Sequence, residues 1–175
     1  MDVNQSRRIR IVFQSFNLFP HMSVLRNVTL APQKATDGSR AQAEADATEL
    51  LERFGLADKR NEYPDRLSGG QQRRVAIVRD PAMAPDLLLL DEITSALDPE
   101  LMAEALNVIR ALARGGMTMV IATHEMGLAR DVASRVCLLD GGVILEQGAP
   151  ADILSHPREA RTQQFLERII AAGRL

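Results

Sequence analysis

Four consecutive leucines, Leu87 to Leu90, run directly into the acidic pair Asp91-Glu92. A strand without polar alternation is expected to be buried on both faces, the condition of a parallel strand covered by helices. Met117 to Thr123 reads as another strand of this kind and ends at His124. Between them, Asp98 suits an N-cap and Pro99 the first position of a helix running to about Arg114, stopped by Gly115-Gly116. Arg8 to Gln14 (RIRIVFQ) alternates and is rich in β-branched residues, so it reads as a third strand. This alternation of strand and helix implies an α/β fold with a mainly parallel sheet.

The first half is mostly helical. Val24 to Leu30 is expected to form a short helix that stops before Pro32. Arg40 to Phe54 forms another, with Ala41, Ala45, Leu50, Leu51 and Phe54 near one side and Gly55 just past its end. A connector, Gly55 to Leu67, leads to a helix starting near Gly70. Pro81 within a helix costs ~3 kcal/mol and removes a donor, so this helix should end or kink near Asp80. In the second half Gly127 to Ala133 is a short helix. Val136–Leu139 and Val143–Glu146 flank Asp140-Gly141-Gly142 as a hairpin, and Ala151–Leu154 and Thr162–Ala172 close the chain as helices.

Composition removes several functions. The 175 residues suffice for one domain with a core. A net charge of −2, no tryptophan and only five Phe and one Tyr argue against nucleic-acid binding. Arg7, Arg8 and Arg10 read as a solvated face or fragment edge, ahead of a nucleic-acid patch. Cys137 stands alone, which excludes an intramolecular disulfide; on a strand it reads as a core residue. No apolar run approaches the ~20 residues of a membrane span, and the first residues do not read as a signal peptide. The expectation is a cytoplasmic protein that meets a membrane only through a partner.

The segment Arg66-Leu67-Ser68-Gly69-Gly70-Gln71-Gln72-Arg73-Arg74 carries the next chemistry. Its bland reading is a glycine pair before a helix. Its functional reading is a phosphate site, because the N-terminal amides of a helix and a serine hydroxyl suit an anion. Asp91-Glu92 alone would pass for an acidic helix cap. At the carboxyl end of a parallel strand, where ligands of such sheets bind, one carboxylate can hold Mg²⁺ and the other polarise water. His124 and Gln14 also follow strands, which lifts them above an ordinary structural histidine and a polar strand end. His21 and His156 have no ligand-like companions.

LSGGQQRR together with Leu87–Glu92 resembles the signature and Walker B motifs of the ATP-binding-cassette (ABC) ATPases. The string Val12 to His21 resembles the Q-loop of the same family. The resemblance covers nearly the whole chain. It implies an incomplete P-loop NTPase core with a mainly parallel sheet and an inserted helical subdomain. Residues 1–19 would be the Q-loop strand and loop, 20–84 the helical subdomain with the signature, and 85–175 the Walker B, D-loop, switch histidine and carboxy-terminal part. ATP and Mg²⁺ would be the cofactors. Ser68, Gly69, Gly70 and Gln71 would bind ATP, Asp91 the metal, and Glu92 would be the general base. His124 would contact the γ-phosphate, and Gln14 would act at the metal and in catalysis. Ser95 to Asp98 resembles the D-loop, with Asp98 facing a partner's nucleotide.

The family pattern is not complete here. A P-loop reads Gly-x-x-x-x-Gly-Lys-Ser/Thr. The only lysines, Lys34 after Gln33 and Lys59 after Asp58, are not in such a string. The chain looks like an ABC ATPase without its amino-terminal part. Ile93 stands where the family usually has proline, which bears on the loop carrying Glu92. Asp140 to Gly148, His156-Pro157, Arg161-Thr162, Phe165-Leu166 and Phe16 to Pro32 resemble the polar-amino-acid importer ATPases. That resemblance implies transmembrane permease subunits, a second ATPase subunit (a second copy or an intact homologue), and indirectly a substrate-binding protein, at the inner face of the cell membrane. A non-catalytic, degenerate interaction module or gene remnant is the alternative. A soluble ATPase of DNA repair or translation is weaker, since no heptad run is present.

Overall fold

The computed structural model describes residues 8–12, 17–35, 39–93 and 99–171. The expectations for Arg7, Gln14 and Ser95–Asp98 lie outside them. The chain forms two compact units, residues 1–122 and 123–175.

In the first unit β1 (Ile9–Val12), β2 (Leu87–Asp91) and β3 (Met119–Ala122) make a parallel sheet in the order β1-β2-β3. Ile9 pairs with Leu87, Val12 with Leu90, and Asp91 with Ala122. Leu88 and Leu90 are buried completely, whereas Leu87 and Leu89 are half-buried. Their neighbours in register, Ile9, Ile11 and Val120, are exposed. The leucine run is therefore buried fully on one face only, which differs from the expected double burial. Successive residues of a strand point to opposite sides, so burial follows the period of two even where the sequence does not.

Helix α1 (Val24–Ala35) continues through Pro32 rather than stopping before it. Val24 and Val28 are fully buried in a cluster with Ala47 and Leu51 of α2 (Arg40–Arg53), Val75 of α3 (Gly69–Arg79), and Leu56 and Leu67. Burial of about 2 kcal/mol per aliphatic side chain offsets much of the backbone bond that proline removes. Asn27, 1% exposed, ties this helix to the preceding loop. Its Oδ1 accepts the Phe19 N–H at 2.8 Å, and its Nδ2 donates to the carbonyls of Phe19, Met22 and Ser23 at 3.0–3.1 Å. Asn27→Ala should lower unfolding free energy by about 1–3 kcal/mol, because the Phe19 N–H and the Met22 carbonyl lose their Asn27 partners, while the Phe19 and Ser23 carbonyls keep the Met22 and Asn27 N–H groups. Asn27→Asp should do no better, since a carboxylate there faces three carbonyl oxygens. Urea denaturation of the variants measures both.

Helix α2 begins at Ser39, whose hydroxyl accepts the Gln42 N–H at 3.1 Å, and ends at Phe54 before Gly55 at φ +66. Helix α3 ends at Arg79. Asp80 caps it, and a single 3-10 turn, Pro81–Met83, follows before Ala84 at φ +46. The proline thus acts as expected. Asp80 is buried and pairs with Arg10 at 2.9 Å, which binds the end of α3 to β1. Arg10 is accordingly half-buried rather than part of a solvated face; Arg8 is exposed and pairs with Asp86. Helix α4 (Pro99–Arg114) buries Ala105, Val108, Ile109 and Leu112.

The second unit holds α5 (Met126–Val132), the antiparallel hairpin β4 (Val136–Asp140) and β5 (Val143–Gly148), α6 (Pro150–Ser155) and α7 (Ala160–Ala171). Gly141 and Gly142 turn the hairpin at φ +57 and +83, the left-handed pair a two-residue turn requires. Met126, Leu154 and Leu166 form its core. Glu146 of β5 accepts the Arg158 N–H at 2.8 Å and the Glu159 N–H at 3.3 Å, fastening the segment before α7 to the hairpin. Cys137 is exposed, contrary to its reading as a core residue. Its partner in register is the exposed, polar Gln147, so its face of the hairpin is solvated. Among the described residues no helix is long and apolar enough to cross a membrane.

Candidate functional site

Ser68 is the N-cap of α3, in extended backbone conformation at φ −63, ψ 160. Its Oγ accepts the Gln71 N–H at 3.2 Å, and Gln71 Oε1 accepts the Ser68 N–H at 2.9 Å. This reciprocal capping box satisfies two donors at the helix start. The Gly69 and Gly70 N–H groups take no hydrogen bond among the described residues and remain at the positive end of the helix. Ser68 and Gly69 are exposed, and Gly70 is buried. Gln72, one position further, donates through Nε2 to the carbonyls of Pro64 at 2.9 Å and Leu67 at 3.3 Å, holding the connector against the helix. An anion placed here meets two amides and a hydroxyl on a fixed turn.

Arg73 faces inward from the same helix, 4% exposed, and burial pushes its guanidinium down from its ordinary range. Arg74 lies with Nε 3.5 Å from Glu104 Oε2 on α4. Neither Gln72 nor the Arg74–Glu104 pairing is singled out by sequence reasoning. The only available signal was their adjacency to the glycine pair, and the α4 partner of Arg74 is remote in sequence.

Asp91 ends β2 with its carboxylate exposed. Glu92 follows at φ +42, in the left-handed region that an L-residue with a long side chain rarely occupies. Its N–H donates to the Ala122 carbonyl at 3.0 Å, and the next residue, Ile93, is 3% exposed. A strand-end hydrogen bond and a buried aliphatic side chain thus bracket a conformation costing on the order of 1–3 kcal/mol. The backbone thus leaves the strand conformation at Glu92, while Asp91 stays in register with Ala122. Ile93 fits as an anchor in the place where proline was the family expectation.

Among the described residues no group of three or more His, Cys, Asp or Glu side chains is arranged to hold a metal ion. A single exposed carboxylate suits Mg²⁺ in its other mode, in which phosphates and water supply most of the ligands. Asp91 fits that mode.

His124 lies two residues past the end of β3 and is half-buried. Its Nε2 is 3.4 Å from Glu125 Oε1, and the Thr123 Oγ1 accepts the Glu125 N–H at 3.0 Å. His124 belongs to the second unit, whereas Ser68–Gln71 and Asp91-Glu92 belong to the first, on separate elements. Gln14 and Asp98 lie outside the described residues.

A family model described as ABC transporter matches residues 2–95. The glutamine transport ATP-binding protein GlnQ of Geobacillus stearothermophilus is 53% identical over 171 residues, spanning 97% of this chain and 71% of that protein. The arginine transport ATP-binding protein ArtM of Bacillus subtilis is 52% identical over 162 residues, 93% of this chain and 68% of that one. The L-cystine transport system ATP-binding protein TcyN of Escherichia coli is 52% identical over 164 residues, 94% and 66% of the respective chains. Among solved structures, a dimeric ATP-binding cassette in a post-hydrolysis state, bound to ADP and Pi, superposes with a TM-score of 0.69 at 33% identity. It covers 86% of this chain and 68% of that one.

Proposed function

Since this chain belongs to the ABC transporter family of ATP-binding proteins, we propose that it energises the import of polar amino acids by ATP hydrolysis. The observation that carries the substrate class is the agreement among relatives named for glutamine, arginine and cystine, each about half identical to it. ATP with Mg²⁺ is the proposed cofactor pair. The proposed partners are permease subunits in the membrane and a second ATPase subunit, with the chain at the inner membrane face.

Within this reading each residue has a role. Ser68, Gly69, Gly70 and Gln71 meet the phosphates of ATP held by the other subunit; two amides and a hydroxyl suit the charge that gathers on a transferring phosphoryl group. Asp91 holds Mg²⁺, which supplies charge neutralisation at the phosphates when bound. Glu92 takes the proton of the attacking water. His124 contacts the γ-phosphate. Gln14 orients water and metal, and Asp98 faces the partner's nucleotide.

The 175-residue sequence holds no Gly-x-x-x-x-Gly-Lys-Ser/Thr string. Of its two lysines, Lys59 pairs with Asp58 at 3.1 Å in a 3-10 turn, and Lys34 sits in the last turn of α1. Neither lies in such a string. Titration calorimetry of this chain with ATP and Mg²⁺ should show no binding in the micromolar range. A micromolar Kd would show that these 175 residues hold ATP without such a string. The function itself is tested by mixing the chain with a P-loop-bearing homologue. Hydrolysis should rise above that of the homologue alone, whereas an unchanged rate would support the inert interaction module instead.

A further inference from the structure

Arg74 stands on α3 about a turn and a half beyond Ser68, at the meeting of three helices. Its Nε faces Glu104 Oε2 of α4 at 3.5 Å, and its Nη1 donates to the Phe54 carbonyl, the C-cap of α2, at 3.4 Å. The side chains of Arg74 and Glu104 are 22% and 35% exposed, but the two facing atoms are out of contact with water and make no hydrogen bond. Gly55 lies against the same guanidinium: a Cβ there would sit 3.6 Å from Nη1. A second arginine ties the helices at the far end of α4. Arg53 of α2 donates through Nη2 to the Ala111 carbonyl at 2.7 Å, and it covers Gly115 so closely that a Cβ there would lie 2.6 Å from Nη2. Helix α4 is thus gripped by an arginine from α3 and another from α2.

The two grips differ in kind. Arg53 closes the carboxyl end of α4, where a cation complements the negative end of the helix; the Ala111 carbonyl it meets also accepts the Gly115 N–H at 3.1 Å. Arg74 joins side chain to side chain across the flank of α3, the helix whose first turn is the phosphate site. Both facing atoms are screened from water, so their attraction is damped less than that between surface charges, and with the Nη1 bond to the Phe54 carbonyl the pair resists rotation of α3 about its axis. Such rotation would swing the Gly69 and Gly70 N–H groups through the same angle.

We propose that Arg74 and Glu104 are positioning residues for the signature: their ion pair, braced on the Phe54 carbonyl, sets the direction in which Ser68, Gly69 and Gly70 face a partner's ATP. This rests on the reading of Ser68–Gln71 as a phosphate site offered to a second subunit, and adds to it the element that aims the site. Neither side chain touches the phosphate. Lysine cannot replace Arg74, because one ammonium does not span both Glu104 and the Phe54 carbonyl as a planar fork does.

The test uses the 175-residue chain as wild type, Arg74→Lys, Glu104→Gln and the reversal Arg74→Glu/Glu104→Arg. Hydrogen exchange is followed by mass spectrometry, and activation of ATP hydrolysis is measured with a P-loop-bearing homologue. In both single variants the hydrogen-bonded amides of residues 71–75 should exchange about tenfold faster, with those of β2 unchanged. Maximal activation should fall by about the same factor. The reversal should recover part of both. Unchanged exchange at 71–75, equal acceleration in β2, or full activation despite faster exchange at 71–75 would each overturn the proposal. A wild-type chain that fails to activate the homologue would instead overturn the phosphate-site reading, while the exchange rates still decide whether the pair holds α3.

Discussion

Ser68→Arg is expected to remove the ATP hydrolysis that this chain confers on a P-loop-bearing homologue, lowering the gain by about 10²-fold or more. Three effects act together. The substitution deletes the N-cap acceptor of the Gln71 N–H, worth about 1 kcal/mol to the helix start. It sets a cation at the positive end of α3, where the macrodipole opposes it. It also fills the space in front of the Gly69 and Gly70 amides with a side chain far larger than the hydroxyl it replaces. Ser68→Thr keeps the acceptor and the hydroxyl proton, so it should retain most of the gain. Steady-state phosphate release, with circular dichroism to verify folding, separates these outcomes. Equal activation by wild type and Ser68→Arg would show that the helix start takes no part in hydrolysis.

Asp80→Ala should lower unfolding free energy by about 3 kcal/mol, a large share of the stability of an ordinary domain. Asp80 has its side chain 4% exposed, and Arg10 is its ion-pair partner at 28%. Removing the carboxylate takes the ion-pair partner from a half-buried guanidinium and unties β1 from the end of α3. Arg10→Met combined with Asp80→Leu should recover much of the loss, because deleting both charges also removes the cost of desolvating them. Urea denaturation measures both. A loss below about 1 kcal/mol for Asp80→Ala would mean that Arg10 is well solvated in its absence.

The parts of the fold that sequence reveals are those set by neighbours in the chain. The leucine run reports β2, Pro81 the end of α3, Gly55 the end of α2, and the Gly141-Gly142 pair the hairpin, since each acts through local backbone geometry. Ser68–Gln71 and Asp91-Glu92 are visible for the same reason: each is a short string at the end of an element. What escapes is set by distant partners. Pro32 stays within α1 because Val24 and Val28 pack on α2 and α3. Arg10 leaves solvent for Asp80, and Arg74 finds Glu104. Cys137 is exposed because the residue opposite it across the hairpin is a solvated glutamine. The left-handed backbone of Glu92 also has no local sign, as neither a glycine nor an asparagine announces it.

The register of β1 against β2 has a consequence in time. Ile9 pairs with Leu87, so all of α1, α2 and α3 lies in the loop that this pairing closes. Closing a loop of that length as loose chain is entropically costly, and helices with local contacts form sooner than distant parallel strands. The expected order is therefore helices first, with their shared core around Val28, Leu51 and Val75, then β1 onto β2, with the tie between Arg10 and Asp80 made as the strand arrives. Glu92 enters its strained turn at the end of this sequence, once the Ala122 carbonyl of β3 is there to receive its N–H. The carboxylate proposed for the chemistry is then among the last parts of the chain to find its place.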